Sequence, residues 1–113
     1  MKRNYPKEPK IKPEVGMGAC MNVGSDAYGY EIIEVINPKH VVVRRYDTRL
    51  VGGYILSEHQ EYEFIPNPKN RTKHLVFRYG RWWGNTNYPR RKLDSKYEYW
   101  TLGEAYEYQD PCF

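Results

Sequence analysis

The stretch EIIEVINPKHVVVRRY, residues 31–46, decides the fold class. Two runs rich in β-branched residues, 31–36 and 40–46, flank Asn37-Pro38-Lys39, a turn-forming triplet that cannot continue a strand. Neither run alternates cleanly. Ile32, Ile33, Val35 and Ile36 would occupy both faces, as expected of a strand in a closed or strongly bent sheet.

Working outward, EYEFI (61–65) alternates acid and aromatic, PNPKNR (66–71) supplies a turn, and TKHLVFRYG (72–80) places Leu75, Phe77 and Tyr79 on one face and His74, Val76 and Arg78 on the other. This spacing predicts a second hairpin in which Glu61 and Glu63 face the bases of the following strand. Residues 47–58, with adjacent glycines, read as a loop, and GNTNYPRRKLDS (84–95) as a second long loop. YEYWTL (97–102) and AYEY (105–108) read as closing strands around Gly103. No stretch keeps a helical period. The expected fold is all-β: a small five- to six-stranded barrel or strongly twisted antiparallel sheet, Src-homology-3-like or OB-like. A flexible basic arm, 1–14, precedes a single β domain, 15–113.

Composition agrees with this. A chain of 113 residues builds one modest core, and twelve tyrosines and three tryptophans favour a pleated, half-buried surface over helices. No apolar run approaches the roughly 18 residues of a membrane helix, and the N-terminus has no apolar signal region. Two cysteines, Cys20 and Cys112, make no disulfide framework and read as reduced thiols of a cytoplasmic protein.

The net charge of +4 hides segregation. Residues 1–13 carry five basic side chains and one acid, 14–68 four and eight, 69–96 nine and one, and 97–113 none and four. Such blocks steer an anionic partner or satisfy each other across a sheet, and both readings stand.

Three pieces together, GMGACMNVGSDAYGYEIIEV, EYEFIPNPK followed by a strand and GRW, and the terminal YQDPCF, resemble a group of small uncharacterised proteins encoded by tailed bacteriophages. The resemblance spans about residues 15–113. It implies arginines where this chain has Glu104 and Ala105, which weakens anion binding at that edge. It also implies serine at Cys112, which argues against a disulfide to Cys20. A phage origin implies host cytoplasm as the location and a role in countering host immunity, by blocking a nuclease or sequestering a nucleotide signal.

Two constellations carry candidate chemistry. Gly24-Ser25-Asp26 forms either an anion-cradling turn or a turn capped by its own side chains, with Tyr28 and Tyr30 available for stacking on a base. Arg78, Arg81, Trp82 and Trp83, with Arg90, Arg91 and Lys92 in the next loop, combine guanidinium forks for phosphate with indole faces for bases. The competing reading makes one tryptophan core and the other the cover of a barrel end, and pairs the bases with Glu61, Glu63 and the acidic tail. Arg44-Arg45 is a weaker basic pair, the Glu58-His59-Gln60-Glu61 row has no metal spacing, and His40 and His74 have no nameable partner. Nothing resembles a phosphate-binding P-loop, a nucleophile elbow, a zinc spacing or a carboxylate dyad, so neither catalytic residues nor a metal or cofactor is expected. The expected function is non-enzymatic: sequestration of a phosphate-bearing nucleotide second messenger by a homo-oligomer. The alternatives are an inhibitor docking on a host immune protein and a small barrel binding DNA or RNA.

Overall fold

The computed structural model describes residues 5–53 and 60–109. Glu58, His59 and Cys112 lie outside the described residues. The described chain is all-β, with eight strands: β1 (Gly18–Val23), β2 (Asp26–Asn37), β3 (His40–Arg45), β4 (Asp47–Gly53), β5 (Gln60–Ile65), β6 (Thr72–Arg78), β7 (Arg81–Asn85) and β8 (Glu98–Gly103). Six of them close an antiparallel barrel in the order β1-β2-β3-β6-β7-β8, and β4-β5 form a separate two-stranded sheet. Barrel strands adjacent in the chain are adjacent in space, the up-and-down arrangement that leaves no open edge. No helix among the described residues is long and apolar enough to cross a membrane.

Turn chemistry closes each tight connection. Gly24 and Ser25 alone link the paired residues Val23 and Asp26, and Gly24 takes the positive φ (58°) that a type II′ hairpin turn places at its first central position. Asn37 accepts the Lys39 backbone N–H on its side-chain oxygen (2.8 Å) at the β2-β3 turn. Tyr79 (φ 52°) and Gly80 (φ 76°) join β6 to β7, both in the left-handed region that a type I′ turn requires.

The mixed faces of β2 come from two irregularities, between Ile32 and Glu34 and between Val35 and Asn37, which shift the register against β3. Ile32 is therefore fully buried while Ile36 is exposed. The core gathers Ala19, Ile32, Val41, Val43, Leu75 and Leu102 around Trp82 and Trp100. Trp82 and Trp100 are cross-strand partners at the β7-β8 seam. Each such ring removes about 150–250 Å² from water, worth roughly 4–6 kcal/mol at about 25 cal/mol/Å².

Several assignments change. Residues 47–53 form a strand instead of a loop, and β5 pairs with β4, not with β6. Strand β6 takes β3 and β7 as neighbours, so Glu63 meets Arg49 and the predicted acid-to-base ladder does not form. A strand precedes the 31–36 run, and residues 105–108 contribute one bridge, Ala27 to Tyr108, instead of a closing strand. Residues 5–13 of the arm lie against the barrel. Pro13 is buried, Tyr5 meets the Tyr79 ring edge-on (5.9 Å), and Glu8 pairs with Lys39 (3.6 Å).

The β4-β5 sheet is seated on the barrel at Gly29. Phe64 lies against this glycine so closely that a Cβ there would overlap the ring. Gly29→Ala is expected to lower stability by about 1–3 kcal/mol through this overlap, read from urea unfolding. The double variant Gly29→Ala/Phe64→Ala should cost less than the two single changes added together; simple additivity would show that the ring does not seat there.

Candidate functional site

Strand alternation sorts the basic segment into two environments. On β6 and β7, Leu75, Phe77 and Trp82 point into the core, whereas Arg78, Arg81 and Trp83 point outward. On β8, Trp100 and Leu102 point in and Tyr99 points out. The outer face of β7-β8 thus carries a strip of rings and cations.

Arg81 organises the strip. Its guanidinium lies 3.7 Å from the Trp83 ring centre and 5.3 Å from that of Tyr99, a cation held between two π faces. Its Nη2 donates to the backbone oxygens of Lys96 (3.1 Å) and Glu98 (3.2 Å), while its Nε is buried without a hydrogen-bond partner. Trp83 is fixed by its indole N–H donating to the Arg78 carbonyl (2.9 Å) and by the edge of Tyr79 (6.3 Å). Arg78 in turn donates to the Arg91 carbonyl (3.4 Å), which brings the 86–97 loop alongside. Arg90, Arg91, Lys92 and Lys96 are exposed on that loop, and Lys96 approaches the Tyr97 ring (5.3 Å). Tyr79, Tyr97 and Tyr99 are 62, 73 and 50% exposed.

Like charges sit opposite each other here. Arg78 and Arg81 are cross-strand partners flanking the β6-β7 turn, an arrangement that disfavours folding. Among the described residues, no carboxylate forms an ion pair with either of them, nor with Arg90, Arg91, Lys92 or Lys96.

Of the residues nominated from sequence, the fold brings together Arg78, Arg81, Trp83 and Arg91, with exposed Arg90 on the same loop. Trp82 is excluded from the face because alternation buries it, edge-on to Phe77 (5.5 Å). Tyr28 and Tyr30 also lie elsewhere, flanking the Arg45 guanidinium at 5.4 and 5.8 Å. Tyr30 packs edge-on to Trp100 (4.8 Å). Ser25 is an exposed turn residue, and Asp26 accepts the Tyr28 hydroxyl (3.5 Å). Tyr79, Tyr97 and Tyr99 were missed, although the period-two pattern of 97–101 separates Tyr97 and Tyr99 from the buried Trp100.

The largest balance of opposite charge lies at the barrel mouth. Lys73 bridges Asp94 (3.2 Å) and Glu98 (3.3 Å), and Arg45 pairs with the buried Glu107 (2.8 Å). These carboxylates occupy the cations that a phosphate would need. Cys20, a free and buried thiol, has its pKa raised by burial.

The loop carrying Arg90 and Arg91 is pinned through Tyr88. This ring stacks on His74 (4.1 Å between centres, 13° between planes) and meets His40 edge-on (4.8 Å). The two histidines, without partners in the sequence reading, bond each other, His40 Nε2 to His74 Nδ1 at 2.9 Å. Compared with family models, curated proteins and solved structures, the chain matches none.

Burial lowers the pKa of both histidines from the ordinary 6.5, and for His40 the neighbouring His74 adds to this, while Glu34 opposes it in both. The native state then binds fewer protons than the unfolded chain, so the contribution to stability is complete above about pH 6.5 and is lost as pH falls through the depressed values. Urea midpoints should therefore drop on acidification below pH 6.5, and His40→Gln/His74→Gln should flatten that slope. An unchanged slope would remove the pair as its source.

Proposed function

We propose that this chain is a non-catalytic binding protein for a phosphate-bearing nucleotide ligand, and that the ligand is an extended single strand of nucleic acid laid along the β7-β8 face. The observation that carries the reading is Arg81, held between Trp83 and Tyr99 with, among the described residues, no carboxylate partner. A guanidinium without a counter-charge among rings keeps positive potential beside surfaces for bases, and the exposed Arg90 and Arg91 on the adjacent loop supply the planar forks for phosphate.

The form of the face favours a strand over an enclosed nucleotide signal. Its rings are spread over an open surface and exposed by half or more at Tyr79, Tyr97 and Tyr99. Successive bases stack on such a platform whatever their identity, because every base has a π face. Arg90, Arg91, Lys92 and Lys96, in no ion pair among the described residues, supply the sequence-independent attraction to the backbone. The counter-defence setting follows from the motif resemblance alone; in that setting, coating a strand would shield it from a host nuclease.

Fluorescence anisotropy with a labelled oligothymidylate tests this. Binding should weaken steeply with salt, and Tyr99→Ala should reduce affinity by about 5- to 150-fold, the loss of one stacking ring. Arg91→Ala should flatten the log–log salt slope by about 0.7, one phosphate contact on a single strand. Absence of binding at low salt would overturn the proposal. Saturable binding of a cyclic dinucleotide with none of the oligonucleotide would return the reading to a nucleotide signal.

A further inference from the structure

A groove of about 910 Å³ opens at the barrel mouth, bounded by Tyr30 of β2, the end of β3, the start of β4, the 70–73 segment and Thr86. Its volume falls in the range of about 300–1,000 Å³ typical of small-molecule sites. Its charged groups are mostly committed within the fold. Arg45 donates to Glu107 and to the Gly29 carbonyl (2.9 Å), and Lys73 bridges two carboxylates. An anionic ligand would have to displace these carboxylates to reach Arg45 or Lys73, which leaves it Arg71 alone, and a cationic one would meet Arg71 and Lys73 on the rim.

What the groove leaves open is a set of polar groups with hydrogen-bonding capacity to spare. Thr48, Thr72 and Thr86 line it with hydroxyls, of which Thr86 donates to Asp94 (2.7 Å) and retains acceptor capacity. Asp47 accepts one amide N–H from Asn67 and one from Asn70 (both 2.8 Å), leaving further lone pairs on the same carboxylate. Arg71 adds exposed donors. Two rings, Tyr30 and Tyr46, contribute apolar surface. The rim is preorganised, because Asn70 also ties to the Arg45 carbonyl (2.9 Å) and Asn67 accepts the Lys69 N–H (2.9 Å).

We infer that this groove is a second ligand site, separate from the aromatic strip, and that it takes a neutral, hydroxyl-rich molecule of mono- to disaccharide size. Each sugar hydroxyl is both donor and acceptor, which suits an interleaved rim of threonine, carboxylate and guanidinium. The C–H face of a pyranose suits a tyrosine ring. The inference does not rest on nucleic-acid binding, since none of these groups belongs to the strip.

The test is titration of the ¹⁵N-labelled protein with glucose, galactose, N-acetylglucosamine and trehalose, with sodium sulfate run in parallel. One sugar should shift the amide signals of Tyr46, Thr48, Asn70 and Thr72 saturably, with the same affinity when oligothymidylate is present. Thr48→Val and Thr72→Val should each weaken that sugar by about 2- to 10-fold, the loss of one hydrogen bond, with the rest of the spectrum unchanged. The site is refuted if no sugar gives saturable shifts at the groove, or if sulfate gives them instead. Competition between sugar and oligonucleotide would refute its separateness.

Discussion

A single buried carboxylate holds the molecule's distant parts together. The Glu107 side chain is 2% exposed, accepts the Gly29 backbone N–H (2.9 Å) and is paired with Arg45 (2.8 Å). Arg45 returns to the Gly29 carbonyl, so one residue on β2, the end of β3 and the C-terminal segment close a ring of charge-assisted bonds. Removing one partner of such a pair strands the other, which costs about 3–5 kcal/mol. Glycine is required at the centre because Phe64 occupies the space of a side chain, while the glycine's backbone N–H meets the carboxylate. Seating of the β4-β5 sheet, closure of the chain over β1 and β2, and the position of Arg45 at the mouth are therefore one constraint.

The same economy sorts the remaining charge. Acids are used inside the mouth, where Asp94, Glu98 and Glu107 answer Lys73 and Arg45, and on the β4-β5 sheet, where Glu63 answers Arg49. The Lys73 ammonium illustrates the balance: burial disfavours its charge, yet the two carboxylates outweigh burial and its pKa is raised. Asp94 moves the other way, lowered by Thr86 and Lys73 against its own burial. Among the described residues, no ion pair joins an acid to Arg78, Arg81 or the cations of the 90–96 loop. An arginine facing an arginine across a hairpin conflicts with local stability, and such conflicts mark places where function opposes folding.

The sequence made some of this legible and hid the rest for physical reasons. The β class, the turn at 37–39 and the polar loop were readable because turn residues and β-branched runs act locally, although the loop begins only at Thr86, since Gly84 and Asn85 finish β7. The clustering of Arg78, Arg81 and Trp83 was readable because all three lie within six positions of one hairpin. Which strand β5 pairs with was not, since acid–aromatic alternation fits either neighbour and the choice depends on where β3 finds β6. The fate of Trp82 turned on phase: a one-residue shift would exchange it with Trp83. Glu107, His40 and His74 act through contacts 34 to 78 positions away, beyond any local signal.

The N-terminal segment ties these threads to the strip. Tyr79 adopts a left-handed backbone that costs an ordinary residue about 1–2 kcal/mol. Its ring is held between Tyr5 and Trp83, both edge-on, so the contact offsets the strain and orients the turn. Pro6 lies against Gly80 and Ile11 against Gly103, which carries the segment from the β6-β7 turn across to the end of β8. Exposed Lys7, Lys10 and Lys12 ride on this path. Their charge is thereby fixed on the barrel before any ligand arrives. On the proposed function, a polyanion approaching β7-β8 would meet a field already assembled, and less ordering entropy would be lost on binding than a free arm would lose.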